Sequence, residues 1–292
     1  MGIVLTLTFV LMKLIPGSPF SDEKDLPDEV LKALESQYKL NHSFLSQFFF
    51  YVLSALKLDF GQSMQYSDLR VSDIILDRFP ISFLLGTEAL LFSFSFGILL
   101  GSIAAYQKGT GIERGIYFLT MALISLPSFC LGILLQYLLS IKLGWLPIAH
   151  FNNFAESILP VLALSSFPIA YITTLVKDKL SETLKMTYIK TAFTKGLHPF
   201  TIITKHVLPN SLLPLFGFGG QLVANILVGS FVVEKIFAIP GLGGSFVNSI
   251  FARDYSTIMG LTLFYALILT LSVFISELLA LWVNPREWRK IS

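Results

Sequence analysis

Residues 116–141 read IYFLTMALISLPSFCLGILLQYLLSI, an unbroken stretch without a charge. About 20 apolar residues cross the hydrocarbon core of a bilayer, so this stretch is long enough to span one. The pattern recurs outward along the chain. Residues 81–106 carry one charge (Glu88), 158–176 and 207–233 carry none, and 255–283 carry one (Glu277). The first 15 residues are apolar apart from Lys13. Of all 292 residues, 54% are apolar and only 14% charged, with a mean hydropathy of +0.71. Soluble domains carry about a quarter charged residues. The sequence therefore predicts an all-α membrane protein of about six transmembrane helices: a short first helix over 1–15 and five more within 81–292.

The same composition excludes several classes. A net charge of +2 with scattered basic residues leaves no nucleic-acid footprint. The single cysteine, Cys130, lies in an apolar run and offers neither a disulfide nor a thiolate metal site. His42, His150, His198 and His206 have no metal spacing, and no phosphate-cradling GxxxxGK[ST] occurs. Gly109-Thr110-Gly111 and Gly241-Leu242-Gly243-Gly244 lack the spacing of a dinucleotide fingerprint and read as turns. No catalytic set can be placed at one membrane depth, so the chain is expected not to be an enzyme. The N-terminus has no basic stretch and no small-residue cleavage site, which predicts a shortened first membrane helix rather than a removable leader.

Basic residues orient the helices. Lys and Arg number eleven in segments 107–115, 177–206 and 284–292, against three in 142–157 and 234–254. Short basic loops stay in the cytoplasm. With six helices this places both termini in the cytoplasm and segment 16–80 outside. That segment opens on a turn, Pro16-Gly17-Ser18-Pro19, where proline nitrogens end the first helix. An amphipathic helix is expected over 28–40, and an aromatic-rich one over 43–58 that could lie on the membrane surface. Its ten acids against six bases make a mildly acidic outer face.

Glu88 lies about 12 Å into its span at 1.5 Å per residue. An ionised group at that depth costs a few kcal/mol unless it faces protein or water. It admits two readings: a coupling group on a transport path, or a carboxylate hydrogen-bonded between helices. Gly97 and Gly101 form a small-residue face for close helix approach, as do Gly217, Gly219 and Gly220. Pro127, Pro160, Pro168, Pro209 and Pro214 are expected to kink or interrupt the third to fifth spans.

The loop 177–206 holds six lysines against Asp178 and Glu182. Helix is expected from about Ser181 to Lys195, with Gly196 as its stop because glycine accepts positive φ at little cost. A short helix, a glycine turn and a second short helix would form a compact projection suited to a groove on a soluble partner. A solvated basic loop that merely obeys topology is the other reading.

This loop resembles the coupling motif of ABC importer permeases, in which EAA is followed by glycine and then by I-x-LP. Ala192, Gly196, Leu208 and Pro209 match; Lys190, Thr191 and His206 replace the E, the first A and the I. Tyr188, Thr191, Ala192, Lys195, Gly196 and Leu197, then His206, Leu208, Asn210, Leu212, Leu213 and Pro214, resemble the B-type permease of dipeptide, oligopeptide and nickel importers. The likeness extends through Pro16–Pro19, Asp59-Phe60-Gly61-Gln62-Ser63, Arg78-Phe79-Pro80, Leu143–Pro147, Val233–Gly243, Arg253-Asp254-Tyr255 and Asn284-Pro285-Arg286. Members of that family normally carry a longer basic N-terminus, from which this sequence departs.

The resemblance implies a multi-pass permease subunit in a bacterial plasma (inner) membrane, forming half of a translocation path for di- or oligopeptides with a second, homologous permease. It also implies two ATP-binding subunits below and an extracytoplasmic solute-binding protein above. ATP would sit on those partner subunits, and this chain, bathed in membrane lipid, would bind no cofactor and no metal. Tyr188, Thr191, Ala192, Lys195, Gly196, Leu197 and His206 would form the ATPase-coupling loop. A proton-coupled secondary transporter using Glu88 as a relay is the alternative; it gives the 188–200 motif no role.

Overall fold

The computed structural model describes residues 2–14, 20, 27–57, 59–66 and 68–283. The expected turn at 16–19 and the basic residues Arg286, Arg289 and Lys290 lie outside that set. Among the described residues the regular structure is helical, apart from one antiparallel bridge between Gln62 and Arg70. The chain forms two compact units, Met1–Ser82 with Pro240–Ile268, and Phe83–Ile239 with Leu269–Ser292.

The first unit holds α1 (Gly2–Leu14), α2 (Asp28–Gln37), α3 (Phe44–Leu56), α11 (Leu242–Phe251) and the beginnings of α4 (Val71–Tyr106) and α12 (Tyr255–Val283). In α1, Leu5, Phe9 and Met12 fall on one face at helical spacing. They are buried with Tyr255, Ile258, Met259 and Leu263, and the α3 residues Phe48, Tyr51 and Val52 pack on them. The opposite face, Ile3, Leu7, Leu11 and Leu14, is exposed. Both helices expected in segment 16–80 appear within a few residues of their expected bounds.

A buried carboxylate fastens this unit. Asp254 accepts hydrogen bonds from Ser63 Oγ (2.5 Å), Met64 N (3.0 Å), Thr257 N (3.1 Å) and Thr257 Oγ1 (2.7 Å). Tyr38 donates its hydroxyl to Ser63 O at 2.9 Å. Burial, and then the Asp254 charge, hold the Tyr38 pKa above the usual tyrosine range. Gly260 permits the close approach beside it: a β-carbon there would lie 2.6 Å from Val71 Cγ1 and 3.0 Å from Phe60 Cβ. The cluster 241–244, expected as a turn, is instead a helix start. Gly241 is extended, Gly243 and Gly244 are already helical, and the Leu242 amide donates to Ser82 Oγ at 2.9 Å. That captured N–H satisfies a donor every helix start leaves open.

The second unit contains the rest of α4 and α12, with α5 (Gly111–Ser125), α6 (Ser128–Leu135), α7 (Phe154–Thr183), α8 (Thr187–Thr194), α9 (Pro199–Ile202) and α10 (Leu208–Ile236). Among the described residues four helices are long and apolar enough to cross a membrane: α4, α7, α10 from Ser211, and α12. The run 116–141 is not one straight span. It breaks at Leu126, and α5 meets α6, which continues as a π-helix over Gln136–Lys142, at 104°. Pro127 has no N–H to continue α5 and clashes with a helical predecessor, so Leu126 is extended at φ −95° and ψ 121°. Pro160, Pro168 and Pro214 are accommodated inside continuous helices. Pro209 stands in the first turn of α10, which follows directly on a π-helical turn, Ile203–Val207, that joins α9 to α10. α4 begins at Val71, ten residues before the expected span, and runs through Pro80.

α7 is the centre of this unit. A β-carbon on Gly97 would stand 2.7 Å from Ile172 Cβ, and one on Gly101 2.7 Å from Thr173 O. The expected small-residue face is therefore the contact of α4 with α7, and Ser165 adds a hydrogen bond to Ala89 O at 3.0 Å. Of the glycines at 217–220, only Gly220 is required by space, its β-carbon position lying 2.5 Å from Val273 Cα. Ser276 Oγ donates to Phe216 O beside that contact.

Candidate functional site

The projection between α7 and α10 is built from short helices around a small core. The single helix expected over 181–195 is divided. α7 continues to Thr183, a turn follows at 184–186, and α8 occupies Thr187–Thr194. The Thr183 carbonyl accepts from Met186 N at 3.0 Å, closing the turn. α8 ends on Gly196 at φ +74°. Leu197 N then reaches back to Ala192 O at 3.4 Å, the six-to-one bond of a left-handed helix stop. Nothing lies within 4 Å of where a Gly196 β-carbon would be, so backbone conformation and not space calls for glycine here.

One face of α8 is held. Ile189 is fully buried with Leu180 of α7, Ile202 of α9 and Val207, and Ala192, Leu184 and Leu208 pack against them. Ser211 Oγ also bridges α10 to Thr183 Oγ1 at 3.2 Å. The other face is open: Tyr188, Lys190, Thr191, Lys195 and Leu197 are exposed, as are Gly196 and His206. Thr191 bonds locally, to Thr187 O at 3.1 Å. The structure thus brings Tyr188, Thr191, Ala192, Lys195, Gly196 and Leu197 onto one short stretch, with Ala192 on its anchored side and the rest exposed. Asn210 is a position whose side chain is not described.

Charge ties the foot of this assembly to the neighbouring loop. Lys177 Nζ lies 2.7 Å from Glu113 Oε1, and Gly109 N donates to Glu113 Oε2 at 2.6 Å. Both side chains of the pair are less than a quarter exposed, so solvent screens it less than a free surface pair.

Glu88 does not join this group. It is half-buried on α4, and its Oε2 is buried without a hydrogen-bond partner among the described residues. The hydrogen bond that one of its two readings requires is not formed by that oxygen. No motif marks the anchors Leu180, Ile189, Ile202 and Val207 in the sequence. Their one signal is the three-residue spacing of Ile189 and Ala192; Leu180 and Ile202 are joined only by folding.

Comparison with known proteins places these features among transport components. Residues 97–289 match the family model of the binding-protein-dependent transport system inner membrane component. The chain is 42% identical over 284 residues to the dipeptide transport system permease protein DppB of Bacillus subtilis (strain 168), covering 97% of this chain and 92% of that protein. It is 38% identical to the oligopeptide transport system permease protein OppB of Escherichia coli (strain K12), covering 89% and 86% respectively. A solved inward-facing structure of the MetNI methionine ABC transporter has a chain of similar fold, with a TM-score of 0.60 at 16% identity, covering 72% of this chain and 96% of that one.

Proposed function

Because this chain belongs to the family of binding-protein-dependent transport system inner membrane components, we propose that its exposed α8 face is the lever by which ATPase subunits drive peptide import through it. The chain is the permease part of an ABC importer for di- or oligopeptides. It supplies half of the path, and a second homologous permease supplies the other half. Two ATP-binding subunits dock beneath α8, and a solute-binding protein delivers peptide from the outer side. Both termini lie in the cytoplasm of a bacterial cell.

The observation that carries this reading is the two-sided construction of α8. A push on Tyr188, Thr191 and Lys195 passes through Ile189 and Ala192 into Leu180, at the end of α7, and Val207, at the start of α10. Fully buried side chains transmit displacement because packed interiors compress little. The proton-coupled alternative gives this two-sided construction no role, and residues 158–176 of α7 and 208–233 of α10 hold no acid or base to which Glu88 could pass a proton.

Uptake by proteoliposomes containing the purified complex tests the proposal. Uptake is expected to need ATP on the 177–206 side and to survive both an uncoupler and Glu88→Gln, whose amide keeps a hydrogen-bonding group at that place. Gradient-driven uptake by the isolated chain, lost in Glu88→Gln, would hand the case to the secondary transporter.

A further inference from the structure

Along α10, Gly217, Gln221 and Asn225 follow one another at four-residue spacing, and all three are exposed. Gln221 and Asn225 stand near the middle of the helix Leu208–Ile236. Facing them, near the middle of α7, are Phe167 and Tyr171. With Phe218 and Leu222 these residues line a cavity of about 230 Å³ within the second unit. The Tyr171 ring meets Phe218 edge-on at 5.7 Å and stacks with Phe167 at 6.2 Å.

The two amides contrast with the unit's other outward faces. Phe83, Leu84, Leu91, Phe96 and Leu99 on α4, and Leu269, Leu271, Phe274 and Ile275 on α12, are exposed and apolar, as a lipid-facing surface requires. A primary amide turned to acyl chains would leave two N–H donors and a carbonyl unmet, so at mid-span it faces water or protein. Neither the Gln221 nor the Asn225 side chain has a hydrogen-bond partner among the described residues.

We infer that this cleft is where the transported peptide passes the chain at mid-depth, with Gln221 and Asn225 exchanging hydrogen bonds with its backbone; the inference rests on the function proposed above. A backbone peptide group offers one donor and one acceptor whatever its side chains, and a primary amide can answer both. The aromatic walls accept side chains of many shapes. No lining residue carries a charge, so no terminus is trapped in a site that passage must vacate. The donor set also selects between solutes. It contains no carboxylate, imidazole or thiolate, the groups that a free divalent transition metal would seek.

The test uses the complete reconstituted transporter with its binding protein, in a Cys130→Ala background. Gln221→Cys and Asn225→Cys, with Phe274→Cys as an outward-facing control, are treated with a water-soluble cationic methanethiosulfonate. Cysteines at 221 and 225 should react at least about tenfold faster than at 274, as water access at mid-span demands, and a transported tripeptide with ATP should slow them. The double substitution Gln221→Leu with Asn225→Leu should lower peptide uptake by about tenfold, the loss of one or two net hydrogen bonds, in a normally assembled complex. Reactivity equal to the control, reactivity that peptide does not slow, or wild-type uptake by the double variant would each overturn the cleft. Wild-type complex that imports no peptide with ATP would instead sink the function on which it rests.

Discussion

At the residue scale, Gly196 separates two ways in which a glycine can be needed. Gly101 and Gly220 are required by neighbours that a β-carbon would strike, whereas Gly196 stands in open space at φ +74°. Its replacement costs only the left-handed conformation, about 1–2 kcal/mol for an L-residue and least for Asn or Asp. Gly196→Ala and Gly196→Val should therefore insert and assemble normally yet misplace Leu197 and the end of α8. The expected outcome is peptide uptake reduced several-fold, with ATP hydrolysis less dependent on loaded binding protein. Gly196→Asn should be the mildest of the three. Equal, wild-type coupling in all three would mean that the turn tolerates any backbone conformation and has no coupling role.

At the scale of elements, the anchored face of α8 is the part on which force transmission depends. Ile189 is fully buried between α7 and α9. Truncating a buried isoleucine to alanine costs about 2–5 kcal/mol in lost burial and cavity formation. An eight-residue helix has little stability of its own, so that loss should fall on α8 locally and leave the membrane spans intact. Ile189→Ala should open protease sites between residues 184 and 198 and lower ATP-driven uptake, while Lys190→Ala on the exposed side should leave protease resistance unchanged. Equal protection of the two variants would show that the core around Ile189 does not hold the projection. The break in 116–141 belongs to the same scale. The length and apolarity of that stretch promise one straight crossing, but Pro127 removes the N–H on which the straight helix depends.

At the scale of the whole molecule, topology is open to direct measurement. In a Cys130→Ala background, single cysteines replacing the exposed Ser36 and Thr187 should label differently in intact spheroplasts. An impermeant thiol reagent should reach position 36 and leave position 187 untouched until the membrane is opened; the reverse pattern would invert the molecule. By itself, the sequence determined the class of the protein, the charge bias of its loops, the family and the glycine stop. Each of these is a local or additive property: hydropathy summed over a span, lysines counted per loop, a motif at fixed spacing, one residue's backbone freedom. Only the tertiary structure decided which distant groups meet. Ser63 and Asp254 belong to separate motifs, and nothing in either motif states that the hydroxyl and the carboxylate bond. Leu180, Ile189 and Ile202 look like ordinary apolar residues until the chain folds them into the core that holds α8. Gln221 and Asn225 are unremarkable amides in a long apolar run until burial of the faces beside them leaves theirs open. Burial and hydrogen-bond satisfaction depend on what the rest of the chain places nearby, and residue spacing along a helix cannot supply that.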